Sequence, residues 1–506
     1  MGKGLSTLRN PAVAGCGEIV QHAVSGPDLL GSLDMAVEAA RRAGADAGGR
    51  LLERVEVVAS LMSISLRHPD PGGLVAERLG LSGVRTFQSR IGGNLPQYLL
   101  NELGAEIAAG RLDVALIVGV ENVHSRKKGS AAEAIKELDK PLPTGEPAPL
   151  MGDDKPGWTD YEAVHQAAIP STVYPLFEAA LRAAAGRDLE EHRRVVSELW
   201  ARFAAVSGTR PAAWSQKAWS AQEIRTPGPA NRMVTYPYTK LMCANIFTDQ
   251  AAAVLLCSPE AARAAGVPDE RLVYLHAGAD GTDRQFLTER WSLAESPGLR
   301  AVTGDALAGA GVGVDDIARF DLYSCFPSAV QTAMKELGLA GPAGDDDRPL
   351  TVTGGLSFFG GPGNNYVTHS VAAMVDACRA DPGSLGMVTG IGWFLTKHSA
   401  GIYSARPPEQ GFARVDPAAT QATIDATPGR VPTGAYAGPA TVEVTAVQYN
   451  REGDPALGVL TTLTPDGRRA LANCTVPSAL ASMVTEEWAG RPVELATDGT
   501  VNRLAL

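Results

Sequence analysis

The sequence predicts an α/β protein built from two similar halves and followed by a small β domain. The first observation is a glycine-rich turn that occurs twice, at residues 90–97 and 353–364. In each copy a helix of small residues and a short apolar strand follow the turn, and these strands are at 114–119 and 386–390. The second observation is a change to alternating strand patterns beyond residue 412. Two glycine turns that each begin a helix indicate a duplicated protein with its site between the halves.

Composition indicates globular domains and a small-molecule partner. The 506 residues are 45% hydrophobic, which is enough to fill several cores. The net charge of −11 argues against nucleic acid and anionic membranes as partners, because those surfaces require an excess of Lys and Arg. The 6 cysteines lack metal-ligand or C-x-x-C spacing, so we predict no metal, no disulfide and a reducing compartment. Without an apolar run of spanning length, the expected location is cytoplasmic, and the Ala-, Gly- and Arg-rich composition looks bacterial.

The first half is predicted to span residues 1–265 and to contain a long insertion. Its predicted elements are helices at 32–48 and 72–81 and core strands at 55–59 and 248–257. Between 124 and 245 the composition changes to Pro, Trp, Ser and Lys. A long irregular excursion of this kind usually helps to build a binding site.

The second half is predicted at residues 266–405 and an additional domain at 412–506. The elements predicted in the second half are strands at 272–276 and 320–323 and helices at 301–310 and 327–339. A Pro-rich linker at 406–408 then leads to strands at 441–447 and 459–463, which predict a small barrel. We expect this domain to cover the second half or to restrict assembly, which leaves a monomer or a homodimer.

Four motifs resemble the thiolase superfamily, in particular the thiolase-like proteins with an additional C-terminal domain. They are residues 92–97, 323–327, 355–366 and 395–398. The resemblance covers nearly the whole chain. It implies the duplicated thiolase fold (αβαβα), with two mixed sheets around buried helices. It also implies an activity related to acetyl-CoA acetyltransferase in lipid metabolism, with coenzyme A or acyl-CoA as substrate or ligand and no tightly bound cofactor.

The same resemblance shows that the residues of covalent catalysis are missing. A thiolase carries its nucleophilic Cys at the start of the buried helix of the first half, where Gly93 stands here. The family's Gly-His-Pro resembles residues 360–362, so Gly361 replaces the His. Its Cys-x-Gly resembles residues 390–392, which keep Gly392 and lose the thiol. We therefore expect that conventional thiolysis is lost.

Two side chains remain candidates for catalysis. Residues Tyr323 to Phe326 resemble the His-Asp-Cys-Phe motif of sterol-carrier-type thiolases and keep its Cys and Phe. Cys325, at a helix start, is a candidate nucleophile or acid/base residue, or equally a small buried apolar side chain. His398 is a candidate base, and the alternative is a hydrogen-bonded structural histidine.

Backbone amides at the glycine turns are the other candidate groups. Those of Gly93, Asn94 and Gly392 are predicted to form an oxyanion or carboxylate site. Tyr323, from the same motif as Cys325, is a further catalytic candidate. The alternative is that the glycines and Asn94 only shape turns and cap helices.

The insertion contributes a local excess of basic residues in an acidic protein. The resemblance implies that this region binds coenzyme A, with cations on the phosphates and an indole on the adenine. The residues assigned to this cofactor site are Arg210, Lys217, Arg232, Trp214, Trp219 and Gly361. The alternative is a solvated loop whose charges balance acidic residues elsewhere.

Three functions therefore stay open. The first is an acyltransferase or related enzyme that works on acyl-CoA thioesters without an acyl-cysteine. The second is a non-catalytic acyl-CoA-binding protein. The third is a structural subunit that pairs with an active thiolase-like enzyme or with another protein partner.

Overall fold

The structure is a computed structural model that describes residues 9–22, 28–127, 129–139, 145–339 and 346–505. Its helices are α1 (Ser32–Ala47), α2 (Pro71–Leu79), α3 (Leu95–Ala108), α4 (Val123–Arg126), α5 (Gly129–Leu138), α6 (Asp160–Val164), α7 (Pro170–Ala184), α8 (Leu189–Ser207), α9 (Ala221–Arg225), α10 (Pro259–Ala264), α11 (Pro297–Ala310), α12 (Pro327–Glu336), α13 (Gly355–Phe358), α14 (Tyr366–Ala380), α15 (Pro417–Asp425) and α16 (Pro477–Met483).

Its strands are β1 (Ala12–Val20), β2 (Val57–Ser60), β3 (Arg85–Ser89), β4 (Val114–Asn122), β5 (Leu150–Met151), β6 (Met233–Tyr236), β7 (Tyr238–Thr239), β8 (Asp249–Cys257), β9 (Val273–Thr282), β10 (Ile317–Asp321), β11 (Leu385–Gly392), β12 (Lys397–Ser404), β13 (Ala413–Arg414), β14 (Gly438–Tyr449), β15 (Pro455–Leu463), β16 (Arg469–Cys474), β17 (Pro492–Thr497) and β18 (Asn502–Ala505).

The two halves repeat one strand arrangement. In the first half β2 pairs parallel with β4, β4 antiparallel with β8, and β8 antiparallel with β1. In the second half β10, β11, β12 and β9 repeat this sequence of parallel and antiparallel pairings. This repetition confirms the predicted duplicated α/β fold with mixed sheets.

The halves meet at their first strands and at their buried helices. Strand β1 pairs with β9 through Ala12 and Val13, so the two mixed sheets join into one 11-stranded sheet. Helix α3 of the first half packs on β9, β11 and β12 of the second half, while α14 packs on β1 and β8 of the first. The glycine turns before these helices meet as well, because the Gly92 amide donates to Asn364 Oδ1 (2.9 Å).

The C-terminal strands form a closed barrel. Strand β14 pairs with β15 and β17, β15 with β16, and β18 with β16 and β17. Apolar side chains such as Val442, Leu460 and Leu495 fill it, and α16 contributes Leu480. This confirms the predicted small β domain.

The segment between the Pro-rich linker and the barrel strands contacts the second half. Strand β13 pairs with β9, and α15 packs on β9 and α11, while the barrel strands begin at Gly438. A two-residue strand and a short helix leave no pattern that assigns them to one domain or the other.

The barrel is attached to the insertion as well as to the second half. Strand β14 pairs with β6 of the insertion, and Gln448 Nε2 donates to Thr172 Oγ1 (2.9 Å). On the other side Arg469, which is fully buried, donates to the carbonyl oxygens of Leu287 and Arg290. The barrel therefore joins both parts of the body.

Candidate functional site

The phenol of Tyr323 lies where a side chain on residue 93 would be. Tyr323 follows β10, and its backbone amide donates to Thr389 Oγ1 (3.0 Å). A Cβ atom on Gly93 would overlap the Tyr323 hydroxyl and would lie 2.6 Å from the carbonyl oxygen of Ile391. Residue 93 therefore has no room for the nucleophilic cysteine of a thiolase.

Asn94 fills the neighbouring space. Its Nδ2 donates to Ser399 Oγ (3.2 Å), and its buried Oδ1 has no hydrogen-bond partner among the described residues. A Cβ on Gly390 would lie 2.7 Å from Asn94 Cα, and one on Gly392 would lie 2.6 Å from Asn94 Oδ1. The glycines let α3 begin directly against β11, and a cysteine at residue 390 would not fit.

Gly361 differs from these glycines. Its amide donates to the carbonyl oxygen of Asn245 (2.8 Å), and a Cβ there would have its nearest neighbours at 3.4 Å, Asn245 O and a Leu356 methyl. Side chains are therefore excluded at residues 93 and 390 but not at 361.

Cys325 is a buried, neutral thiol. It lies just before α12, and its carbonyl oxygen accepts from the Ala244 amide (3.0 Å). Burial raises the pKa of the Cys325 thiol to about 12, although a hydrogen bond with Tyr174 acts in the opposite direction. Because the thiolate is the nucleophilic form, Cys325 is not an activated nucleophile at neutral pH.

Tyr174 is the residue that sequence reasoning missed. It comes from α7 in the insertion, stacks on Phe326 (ring centroids 4.6 Å apart), and its hydroxyl donates to the carbonyl oxygen of Trp393 (3.0 Å). The sequence indicated this region only through the prediction that the insertion helps to build a binding site.

His398 lies on the other face of the sheet. Ser399 faces Asn94, and since successive strand residues point to opposite faces, His398 points away from it. His398 Nε2 lies 3.2 Å from Ser296 Oγ and 3.5 Å from Asp283 Oδ2. The structure thus groups Gly93, Asn94, Gly392 and Tyr323, but it does not bring His398 to them.

The predicted coenzyme A cations have partners within the chain. Arg210 lies 3.4 Å from a carboxylate oxygen of Glu18 and 3.5 Å from one of Asp376. Lys217 Nζ lies 2.8 Å from Glu223. These charges are therefore already compensated, which weakens the basis for a cationic phosphate site.

The predicted stacking residues are also engaged. Trp214 contacts the rings of His22 and His124, with centroid distances of 4.3 and 4.8 Å. The Lys217 ammonium lies over the Trp219 ring at 3.5 Å. Arg232 is exposed and donates to the carbonyl oxygen of Met233 (3.0 Å).

Across the described ranges, no group of three or more His, Cys, Asp or Glu side chains is arranged to hold a metal ion. Nor does any described helix combine the length and the apolar character that crossing a membrane requires. All 6 cysteines are unpaired.

Comparisons with known proteins include a match along nearly the whole chain. The family described as "Thiolase-like protein type 1 additional C-terminal domain" matches residues 419–500. The crystal structure of a monomeric SCP2-thiolase like protein type 1 from Mycobacterium smegmatis is 31% identical, with 99% of this chain and 100% of that chain covered and a TM-score of 0.84. Among curated proteins none matches.

Two more distant structures share the fold alone. An Ltp2-ChsH2(DUF35) aldolase is 19% identical, with 79% of this chain and 98% of that chain covered and a TM-score of 0.59. An acetyl-CoA acetyltransferase from Syntrophomonas wolfei is 14% identical, with 79% and 99% covered and a TM-score of 0.56.

Proposed function

The chain belongs to the SCP2-thiolase-like proteins of type 1, and from this membership we propose that it binds acyl-CoA thioesters without forming an acyl-enzyme. The resemblance to thiolase-like proteins with an additional C-terminal domain, predicted from four motifs, is confirmed. The observation that carries the proposal is the Tyr323 hydroxyl in the space above Gly93. It replaces a nucleophile with a neutral hydrogen-bond donor.

The proposed binding mode uses groups that do not ionise at neutral pH. Burial raises the pKa of Tyr323 above its usual range, so its hydroxyl stays protonated and able to donate. Gly93 is only partly buried and begins the turn into α3, where backbone amides favour a carbonyl oxygen or an anion. The acyl carbonyl would accept from these donors and would not react with a thiolate.

Calorimetry with coenzyme A, acetyl-CoA and a longer acyl-CoA tests this proposal. The variant Tyr323→Phe keeps the ring and removes the hydroxyl. Because one hydrogen bond contributes about 0.5–1.5 kcal/mol, we expect acetyl-CoA binding to weaken about 2–10-fold while free coenzyme A binding is unchanged. Tyr449→Phe in the barrel is the control and should change neither. Equal weakening for both ligands would contradict a role at the carbonyl.

Mass spectrometry of the intact protein after incubation with acetyl-CoA tests the absence of an acyl-enzyme. We expect no added acetyl mass, and Cys325→Ala should bind acetyl-CoA as the native protein does. An acetyl group trapped on Cys325 would instead favour an acyltransferase.

A protein partner is the second candidate function. It is supported by a site whose cysteine is not ionised at neutral pH and by the Ltp2-ChsH2(DUF35) aldolase, in which a thiolase-like fold occurs together with a second protein. Failure to bind any of the three coenzyme A ligands would favour this alternative. A bacterial cytoplasmic origin stays a prediction.

A further inference from the structure

We propose that a cavity beside Arg290 is a binding site for a small oxyanion, either phosphate or a carboxylate. The cavity has a volume of about 120 Å³ and lies between the second half and the segment that leads to the barrel. Its wall includes Arg284, Arg290, Arg300, Ser292 and Thr427. It is separate from the site at Gly93 and Tyr323, so the inference does not depend on the proposed function.

Arg290 is a buried cation whose guanidinium keeps unpartnered donor groups within the described ranges. Arg290 is only 4% exposed. Its Nη2 donates to the carbonyl oxygens of Phe394 (2.7 Å) and Leu395 (2.9 Å). Its Nε and Nη1 have no hydrogen-bond partner in the part of the chain that the structure describes. The nearby carboxylates of Asp283 and Glu162 offset part of the Arg290 charge. A buried N–H group without an acceptor is still unfavourable, so these two groups need an acceptor.

A second guanidinium adds a free donor to the same cavity. Arg284 Nη2 donates to the carbonyl oxygens of Thr427 (2.5 Å) and Asp425 (3.3 Å), while its Nε is buried and unpartnered among the described residues. Arg300, also in the wall, pairs with Glu336 (2.7 Å). The cavity thus has free N–H donors from two guanidinium groups, those of Arg284 and Arg290.

The acidic residues of the wall are already engaged. Asp283 Oδ2 accepts from Ser296 Oγ (2.5 Å) and lies 3.5 Å from His398. Glu295 lies 3.5 Å from the ammonium of Lys335. Unpartnered N–H groups therefore remain on the arginines, while the nearby carboxylates have partners of their own.

The dimensions and the donors define the class of ligand. The volume exceeds what a single water requires but is small for a nucleotide. The fork of a guanidinium matches the oxygen spacing of phosphate and of carboxylate. Both ligands share the chemistry of a small oxyanion, and the experiment separates them.

Thermal unfolding of the full-length protein, in chloride, phosphate and malonate at equal ionic strength and pH, tests the site. We expect a saturable rise in Tm of about 1–2 °C with phosphate or malonate over chloride, because a ligand that binds only the folded state stabilises it. A rise with phosphate alone identifies a phosphate site, and a rise with malonate alone identifies a carboxylate site.

The variant Arg284→Gln decides whether the effect comes from this cavity. It removes a rim cation and leaves Arg290 in place, so it keeps the test valid even if Arg290→Gln fails to fold. We expect its midpoint anion concentration to rise about tenfold, whereas Arg468→Gln, on an exposed barrel turn, should leave it unchanged. The proposal is overturned if the anions act like chloride or if Arg284→Gln responds as the native protein does.

Discussion

The hydroxyl of Tyr323 and the Cα of Gly93 are packed so closely that no Cβ atom fits on residue 93. In a thiolase the corresponding side chain would be the nucleophile. Here the same space is filled from the other half of the molecule by a phenol. The loss of the cysteine is therefore accompanied by a repacked site, and restoring the thiol alone would not restore the geometry.

The first prediction concerns the stability of glycine variants. Gly93→Ala should lower the free energy of unfolding by about 1–3 kcal/mol. Its Cβ would overlap both the Tyr323 side chain and the backbone carbonyl of Ile391, which strand pairing holds in place. Gly361→Ala is the matched control, and we expect a change within about 0.5 kcal/mol, since its Cβ has room. Urea denaturation measures both. A Gly93→Ala protein as stable as the native one would contradict the packing described.

The second prediction concerns stability at alkaline pH. The Cys325 thiol has an ordinary pKa of 9.0 when unfolded, whereas burial raises its pKa to about 12 in the folded protein. Between these values the folded state binds more protons, so its stability falls as pH rises, and below about pH 9 the contribution is fully present.

Cys325→Ala should remove this contribution. Relative to the native protein, the variant should lose less stability between pH 8 and 10, by about 1 kcal/mol, since one pH unit corresponds to 1.36 kcal/mol. Urea denaturation at several pH values measures the difference. Cys257→Ala, at another buried thiol with its pKa raised to about 12, should behave similarly, and parallel curves for all three proteins would contradict the assignment.

The third prediction separates His398 from the site. His398→Ala should lower the free energy of unfolding by about 1–3 kcal/mol, because it leaves Asp283 and Ser296 without their buried neighbour. It should not change acetyl-CoA affinity, since the side chain lies on the opposite face of β12. Calorimetry and urea denaturation on the same preparation measure both effects. If His398→Ala lost affinity for acetyl-CoA but kept its free energy of unfolding, His398 would have a role in the site.

The sequence predicts the duplication well because glycine spacing and apolar strands are local features. The glycine turns at residues 92 and 361, the buried helices and the barrel all follow from such features. The grouping of Asn94 with Gly392 follows from the resemblance. These parts of the fold required no knowledge of distant contacts.

The failures of prediction involve side-chain direction and long-range packing. Whether His398 or Ser399 faces the site depends on a one-residue register, and a buried strand with apolar residues on both faces does not reveal it. The contact of Tyr174 with Cys325 joins the insertion to the second half, and nothing local indicates it. Likewise, the acidic residues that pair with Arg210 come from β1 and α14. Counting basic and acidic residues within the insertion alone therefore overestimated its free positive charge.

The last prediction concerns assembly through the edge of the first-half sheet. Strand β5 pairs in parallel with β3, where the Gln88 amide donates to Pro149 O (3.0 Å) and the Arg90 amide to Met151 O (2.8 Å). The Arg90 side chain also pairs with Asp154 (2.9 Å) and so holds this segment in place. An uncovered edge strand can pair with another chain, and β5 covers this edge of β3.

We therefore expect the native protein to sediment as a monomer at micromolar concentration. Replacing residues 148–154 with a Gly-Ser sequence should expose β3 and produce concentration-dependent dimers in sedimentation velocity. The same replacement at residues 450–454, in the barrel hairpin, is the control and should leave a monomer, because it uncovers no strand edge. A native dimer, or a monomer after the first replacement, would show that β5 does not control assembly.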